Sequence, residues 1–277
     1  MDIAALQETR LPTTGSIREK DFTFFWQGKP PEEVREHDVG FAIRNRLLGS
    51  IVPPTEGSAR IIKLQLHTAA GMVSFINANA PTLTSSTEAK DEFYDDLGLT
   101  LRDIPQQETV FFLGDFNARV GSDHSSWPSC LGQFGFGKMN ESGQRLLKFC
   151  CRHDLCITNS FFDTKPQHTV SWRHPRSKHW HQLDLVLTGH SNLRNVKLTR
   201  IFQSADCDTD HSLVCWREGS VSQDMKDANI ITLYKNKGDR SDVNNNRGIS
   251  LLSVVGKLFA RVVLVRVQIL AERVYLE

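Results

Sequence analysis

The run Thr109-Val-Phe-Phe-Leu-Gly-Asp-Phe-Asn-Ala118 decides how this chain is read. From Thr109 to Leu113 it is apolar or β-branched without a break, then stops at Gly114, which is the pattern of a central strand buried on both faces. A carboxylate, Asp115, and an amide, Asn117, follow at once, so polar groups emerge at the rim of whatever sheet this strand enters. Upstream, residues 60–67 alternate with Ile62, Leu64 and Leu66 on one face, and residues 72–76 supply a hairpin partner across Ala69-Ala70-Gly71. Further strands are expected at 155–158, 169–172, 183–187, 196–201 and 212–216. Two helices interrupt them. Ser85-x-x-Glu88 is a capping-box pattern followed by Phe93, Leu97 and Leu101, and Asn140 can cap a helix that faces Leu146, Leu147, Phe149 and Cys150 to a core. Many strands with a few helices predict an α+β layered domain, two packed sheets with helices outside.

The chain has 277 residues, 39% of them hydrophobic, enough for a sizeable core. Lys and Arg number 33 against 32 Asp and Glu, so the net charge of +1 selects no partner by itself. Any preference for a polyanion must be local. Such a place exists: between Lys165 and Arg200 there are seven Lys or Arg and one acid, Asp184, and five of the ten histidines. No basic n-region precedes an apolar run at the N-terminus and no window of about 18 residues is uninterruptedly apolar. The reading is an intracellular protein, nuclear or cytoplasmic, neither secreted nor in a membrane. The six cysteines lack C-x-x-C spacing and are expected to be buried thiols.

After Glu218 the composition changes. Residues 219–228 read as a small, polar linker and residues 229–277 as a separate segment, and from residue 224 to the end there are 9 basic and 6 acidic residues. Residues 1–218 form the main domain.

Carboxylates at strand ends need a reason. Glu8 follows Ile3-Ala-Ala-Leu6, Asp115 ends the central run, Asp184 lies in Gln182-Leu-Asp-Leu-Val186, and Asp210 precedes His211-Ser-Leu-Val214. Oxygen ligands on several strand ends can converge on one hard cation such as Mg²⁺, which takes one or two carboxylates and keeps waters for a phosphate. An acid beside His211 can hold its imidazole in one tautomer.

In this order, Leu6-Gln-Glu-Thr9, Leu113-Gly-Asp-Phe-Asn-Ala118, Gln182-Leu-Asp-Leu185 and Thr209-Asp-His211 resemble the motif series of the endonuclease/exonuclease/phosphatase superfamily, which includes deoxyribonuclease I and the apurinic/apyrimidinic endonucleases. The stretches 112–121 and 174–184 resemble the endonuclease part of non-LTR retrotransposon polyproteins. The resemblance covers residues 1 to about 216. It implies a four-layered αββα sandwich that hydrolyses phosphodiesters with Mg²⁺, or Mn²⁺ in its place, and takes DNA as substrate; no protein partner is inferred. It implies that Glu8 and Asp210 serve the metal and that Asp115 orients or deprotonates water. Asn117 would bind phosphate, and His211, polarised by Asp184, would stabilise transition-state charge. Trp172, Arg173, Arg176 and Lys178 would meet the nucleic acid.

Two departures stand out. The family's N-x-Y-A-P-T segment is here Asn77-Ala-Asn-Ala-Pro-Thr82, so Asn79 stands where a tyrosine beside the phosphate would be, and its amide is expected to bind the phosphate in that place. The family's opening strand is also expected to be missing before Met1. Residues 229–239 and 247–252 resemble the opening of a reverse transcriptase without its Y-x-D-D box, so no polymerase activity is expected. These departures leave two functional expectations, a nicking endonuclease of impaired activity or an inactive remnant that binds nucleic acid non-specifically.

Overall fold

The computed structural model describes residues 2–30, 32–33, 37–54, 57–202 and 211–218, and the backbone of two strands at 231–234 and 246–249. Four strands open the chain: β1 (Ile3–Gln7), β2 (Thr14–Arg18), β3 (Phe22–Gln27) and β4 (Val39–Arg44), forming an antiparallel sheet in the order β1-β4-β3-β2. The second sheet has seven strands. In its path β10-β13-β9-β8-β7-β5, the members are β5 (Ile51–Val52), β7 (Ile61–Thr68), β8 (Gly71–Asn79), β9 (Thr109–Asp115), β10 (Leu155–Ile157) and β13 (Asp184–Gly189), while the short β6 (Gly57–Ser58) also pairs with β7. Short ladders join β11 (Trp172–Arg173) to β12 (Trp180–His181), β14 (Val196–Phe202) to β15 (Leu213–Glu218), and β16 (Ile231–Tyr234) to β17 (Asn246–Ile249).

The apolar run at 109–113 is the centre of the larger sheet: β9 is parallel to β8 and antiparallel to β13. Its continuous apolarity is explained by its two covered faces. Phe112 points with Ile76, Ala78, Leu185 and Leu187 into a core shared with two helices. Phe111 and Leu113 point the other way, with Ile62, Leu64, Phe75 and Val186, against Ile3, Val39, Phe41 and Ile43 of the four-stranded sheet. The helix α1 (Thr87–Arg102) buries Phe93 and Leu97, and α2 (Glu141–Arg152) buries Leu146, Leu147, Phe149 and Cys150. Asn140 caps α2 as expected, accepting from the Gly143 amide. The cap of α1 is Ser86 rather than Ser85, accepting from the Ala89 amide.

Helices, a large mixed sheet and a second β layer are therefore stacked, the α+β sandwich that the sequence predicts. The outer face of the four-stranded sheet carries a third cluster of Ala4, Phe22, Phe24 and Ala42, and among the described residues no helix lies on it. The strand expected at 169–172 is shorter, beginning at Trp172 after a 3-10 turn at Pro166–His168. Most of the segment 229–277, and Cys207, lie outside the described residues. Cys151 corrects the expectation of uniformly buried thiols, for it is exposed, whereas Cys130, Cys150 and Cys156 are buried.

Candidate active site

Strand register builds the site. In the antiparallel pair of β9 with β13, Asp184 stands directly opposite Asp115, and cross-strand partners share a face. Counting back by two from Asp115 reaches Leu113 and Phe111, and counting on by two from Asp184 reaches Val186, all in the core between the sheets. The two carboxylates thus continue those apolar rows to the rim, on the side of the four-stranded sheet. In the parallel pair of β8 with β9, Asn79 is level with Asp115. Gly114 has φ of 149°, and a Cβ there would collide with the Ala78 carbonyl oxygen, so only glycine lets β9 lie this close to β8 just before its carboxylate.

Hydrogen bonds fix the side chains. Asp115 accepts the Asn117 backbone N–H on Oδ1 at 2.8 Å and the Asn117 amide on Oδ2 at 3.1 Å. The Asn117 amide also donates to the Ala80 carbonyl at 3.0 Å. His211 Nδ1 lies 2.9 Å from Asp184 Oδ2, and its Nε2 lies 4.0 Å from Asp115 Oδ2. An ionised Asp184 holds the proton on Nδ1, so Nε2 is the nitrogen turned to Asp115. Behind them stand residues that sequence reasoning missed. Ser171 Oγ accepts the amides of both Leu183 and Asp184 at 3.1 Å, and its carbonyl accepts the Ser212 amide at 2.6 Å, tying the His211 segment to the start of β13. Asn159 donates to the Asp184 carbonyl at 3.2 Å and accepts the Val186 amide at 2.8 Å. The available clue was polar residues set among apolar ones, in Val170-Ser171-Trp172 and Ile157-Thr-Asn159.

Burial, with Asp115 only 8% exposed, pushes its carboxyl up to about 7; the negative charge of Asp184 adds to this, while His211 and the Asn117 N–H oppose it and Glu8 contributes a little more. Glu8 ends its strand in a left-handed conformation, φ 53°, with its side chain more than half exposed beside Arg10 at 3.5 Å. Its charge reaches Asp115. Among the described residues no three His, Cys, Asp or Glu side chains stand close enough to hold an ion unaided. The donor set nevertheless suits Mg²⁺, which needs only one or two carboxylates, and the mutual repulsion of Asp115, Asp184 and Glu8 is what a cation would relieve. Asp210 lies outside the described residues.

The residues assigned to substrate divide. Trp172 is bridged to His211 and packs 6.2 Å from its ring, with His181 stacked 5.7 Å away. The same β11–β12 hairpin exposes Arg173, Arg176 and Lys178 beside the site, with Arg173 over the Trp180 ring at 5.7 Å. Asn79 is different: it is 3% exposed and its amide donates to the His37 carbonyl at 3.3 Å, because the 37–38 segment crosses in front of it. The basic strip is not one surface. Arg194 and Lys197 follow the far end of β13, about 17 Å of strand from Asp184. Arg119, not singled out from sequence, lies near enough to His181 to lower its pKa, after burial as the main cause.

Comparison with known proteins agrees with this geometry. A family model described as Endonuclease/Exonuclease/phosphatase family matches residues 1–211. Two curated relatives, both Craniofacial development protein 2, from Bos taurus and Tragulus javanicus, are 27% identical over 214 residues, 77% of this chain. The chain spans 36% of the first and 37% of the second. Among solved structures, the endonuclease domain of TRAS1, a telomere-specific non-LTR retrotransposon, superposes with a TM-score of 0.53 at 14% identity, over 78% of this chain and 85% of that domain. A 3'-5' exonuclease from Neisseria meningitidis gives 0.54 at 17% identity over 78% of this chain and 89% of its own, and an AP endonuclease from Archaeoglobus fulgidus 0.55 at 14% over 78% and 88%. At such identities the likeness is one of fold. With more than half of its length matched by the family model and its rim carboxylates paired across adjacent strands, the chain belongs to the endonuclease/exonuclease/phosphatase family.

Proposed function

We propose that this chain nicks DNA by divalent-metal-dependent hydrolysis of a phosphodiester, and that it derives from a retrotransposon polyprotein. The observation that carries the reading is the cross-strand pair Asp115 and Asp184 with His211 between them, at 2.9 Å from one and 4.0 Å from the other. A carboxyl pushed up to about 7 is matched to accepting a proton from an attacking water at neutral pH. His211, oriented through Nδ1 by Asp184, offers Nε2 to a phosphate oxygen. Glu8, beside Asp115, and Asp210 would hold Mg²⁺ or Mn²⁺, which would supply charge neutralisation at the phosphate. Asn117 has both amide hydrogens committed to Asp115 and Ala80, which supports a positioning role rather than direct phosphate binding. The β11–β12 hairpin brings Arg173, Arg176 and Lys178 to the backbone of the nucleic acid. In this reading residues 1–218 are the nuclease module, 219–228 a linker and 229–277 the start of a reverse-transcriptase segment, in an intracellular protein.

Supercoiled plasmid tests it. Nicking should require Mg²⁺ and stop with a chelator, and Asp115→Ala or His211→Ala should each slow it about 10²-fold or more. Nicking that survives either substitution removes the residue assignment; nicking indifferent to chelation removes the metal. A second reading, a catalytically inactive DNA binder, is favoured by one observation: Asn79, level with Asp115, spends its amide on His37 rather than on the rim. Salt-sensitive plasmid binding without Mg²⁺-dependent nicking would establish it in place of the first.

A further inference from the structure

Four of the six cysteines meet where the segment after β9 returns through α2 to β10. Cys130 Sγ lies 3.4 Å from Cys151 Sγ, Cys156 Sγ donates to the Ser129 carbonyl at 3.5 Å, and Cys150 is within electrostatic reach of all three. Their exposures differ sharply. Cys151, at the end of α2, is exposed, while Cys130 is fully buried behind it. We propose that Cys130 and Cys151 are a disulfide-forming modification site, with Cys151 the thiol that meets a peroxide first and Cys130 the one that resolves it.

Bond formation requires the sulfurs to close by about 1.4 Å, to the usual S–S length near 2.05 Å. The Cys151 thiolate attacks one oxygen of the peroxide, the O–O bond breaks, and the departing hydroxide takes a proton to leave as water. The sulfenic acid on Cys151 is then attacked by Cys130 sulfur, the S–S bond forms, and the hydroxyl leaves with the Cys130 proton as a second water. Each thiol gives up one electron and the peroxide takes both. Burial raises all three inner thiols, Cys130 and Cys156 to about 12 and Cys150 well above its ordinary value, so what singles out Cys130 is the 3.4 Å approach of its sulfur to Cys151. A metal is not the alternative, since among the described residues no three ligating side chains stand close enough together. The linkage would fasten the 117–140 segment to the last turn of α2. The same segment is already latched at the first turn, where Asn140 accepts the Arg119 amide at 3.0 Å.

Peptide mapping of the full chain after stoichiometric hydrogen peroxide tests the site. Expected is a Cys130–Cys151 linked peptide, about 2 Da lighter than its reduced parts and restored by dithiothreitol. The melting temperature should rise by about 5–10 °C, as for closing a loop of roughly twenty residues. Cys151→Ser, at an exposed position, should melt like the reduced protein and lose both effects. Conversion of Cys151 to sulfinic acid, about 32 Da heavier with Cys130 still a free thiol, would overturn the proposal. So would linkage of Cys151 to any other cysteine, or linkage with no rise in melting temperature.

Discussion

Asp115→Asn should make the protein more stable while abolishing nicking. The folded state prefers the neutral carboxyl, because burial and the Asp184 charge push Asp115 from 3.8 up to about 7. A group raised in this way contributes stability that is complete below its unfolded value, near pH 4, and that is lost as pH rises through about 7. At about 1.36 kcal/mol per unit the loss at pH 8 is on the order of 4 kcal/mol, and about 2–3 kcal/mol of it falls between pH 5 and pH 8. Asparagine carries no charge at any of these values. It keeps the acceptor for the Asn117 backbone N–H but sets an amide against the Asn117 amide, a mismatch costing about 1 kcal/mol. The net expectation at pH 8 is a gain of about 3 kcal/mol, seen in urea as a midpoint higher by about 1 M. At pH 5 the gain should nearly vanish. Urea titrations of both proteins with chelator present decide the matter, and added Mg²⁺ should narrow the gap by stabilising only the wild type. A variant no more stable than wild type at pH 8, or a gap that does not grow with pH, would refute the argument that Asp115 is buried at a cost.

Ser171→Ala strips the acceptor from two buried amides, those of Leu183 and Asp184, and should cost about 2 kcal/mol by denaturation while slowing nicking through a loosened Asp184. Gly114→Ala should be among the most damaging single changes, about 3 kcal/mol or more, because the new methyl meets the Ala78 carbonyl and the backbone stays at a positive φ. Replacing Arg173, Arg176 and Lys178 together by alanine should weaken DNA binding and reduce the slope of log affinity against log salt by about 2–3; the same change at Arg194 and Lys197 should leave the slope unaltered. Asn79→Ala should change nicking less than tenfold, measured against plasmid, since the lost hydrogen bond is to His37 and not to the rim.

Much of this arrangement was legible because some segments carry redundant patterns. The central run at 109–113, the alternation at 60–67 and the cap at Asn140 each predict an element from several residues at once, and each element is present. Strands β2 to β4 were not named. The first has one apolar side chain, Ile17, and the second is apolar on both faces because Phe22 and Phe24 are buried outward while Phe25 packs inward, so neither shows a clean period of two. The rim acids were visible as strand-end carboxylates, but their convergence came from motif order, not from spacing. Ser171 and Asn159 escaped notice since a single buried polar residue reads like a surface one until its partners are known. The basic strip failed for a related reason: counting charges along the chain ignores that β13 carries it across the molecule, leaving Arg194 and Lys197 at the opposite end.

The direct pairing of Asp115 with Asp184 also makes the site a proofreader of its own sheet. Side chains alternate across a strand, so sliding β13 inward past β9 by one residue would send Asp184 to the helix side, opposite Gly114, and bring Leu183 to the rim opposite Asp115. A polar acid would then enter the packing around Phe112 and Leu146, and a leucine would face His211. A misregistered chain would therefore lose the carboxylate pair and part of its core packing together. In such a fold, pairing the two rim carboxylates and completing the core are one event.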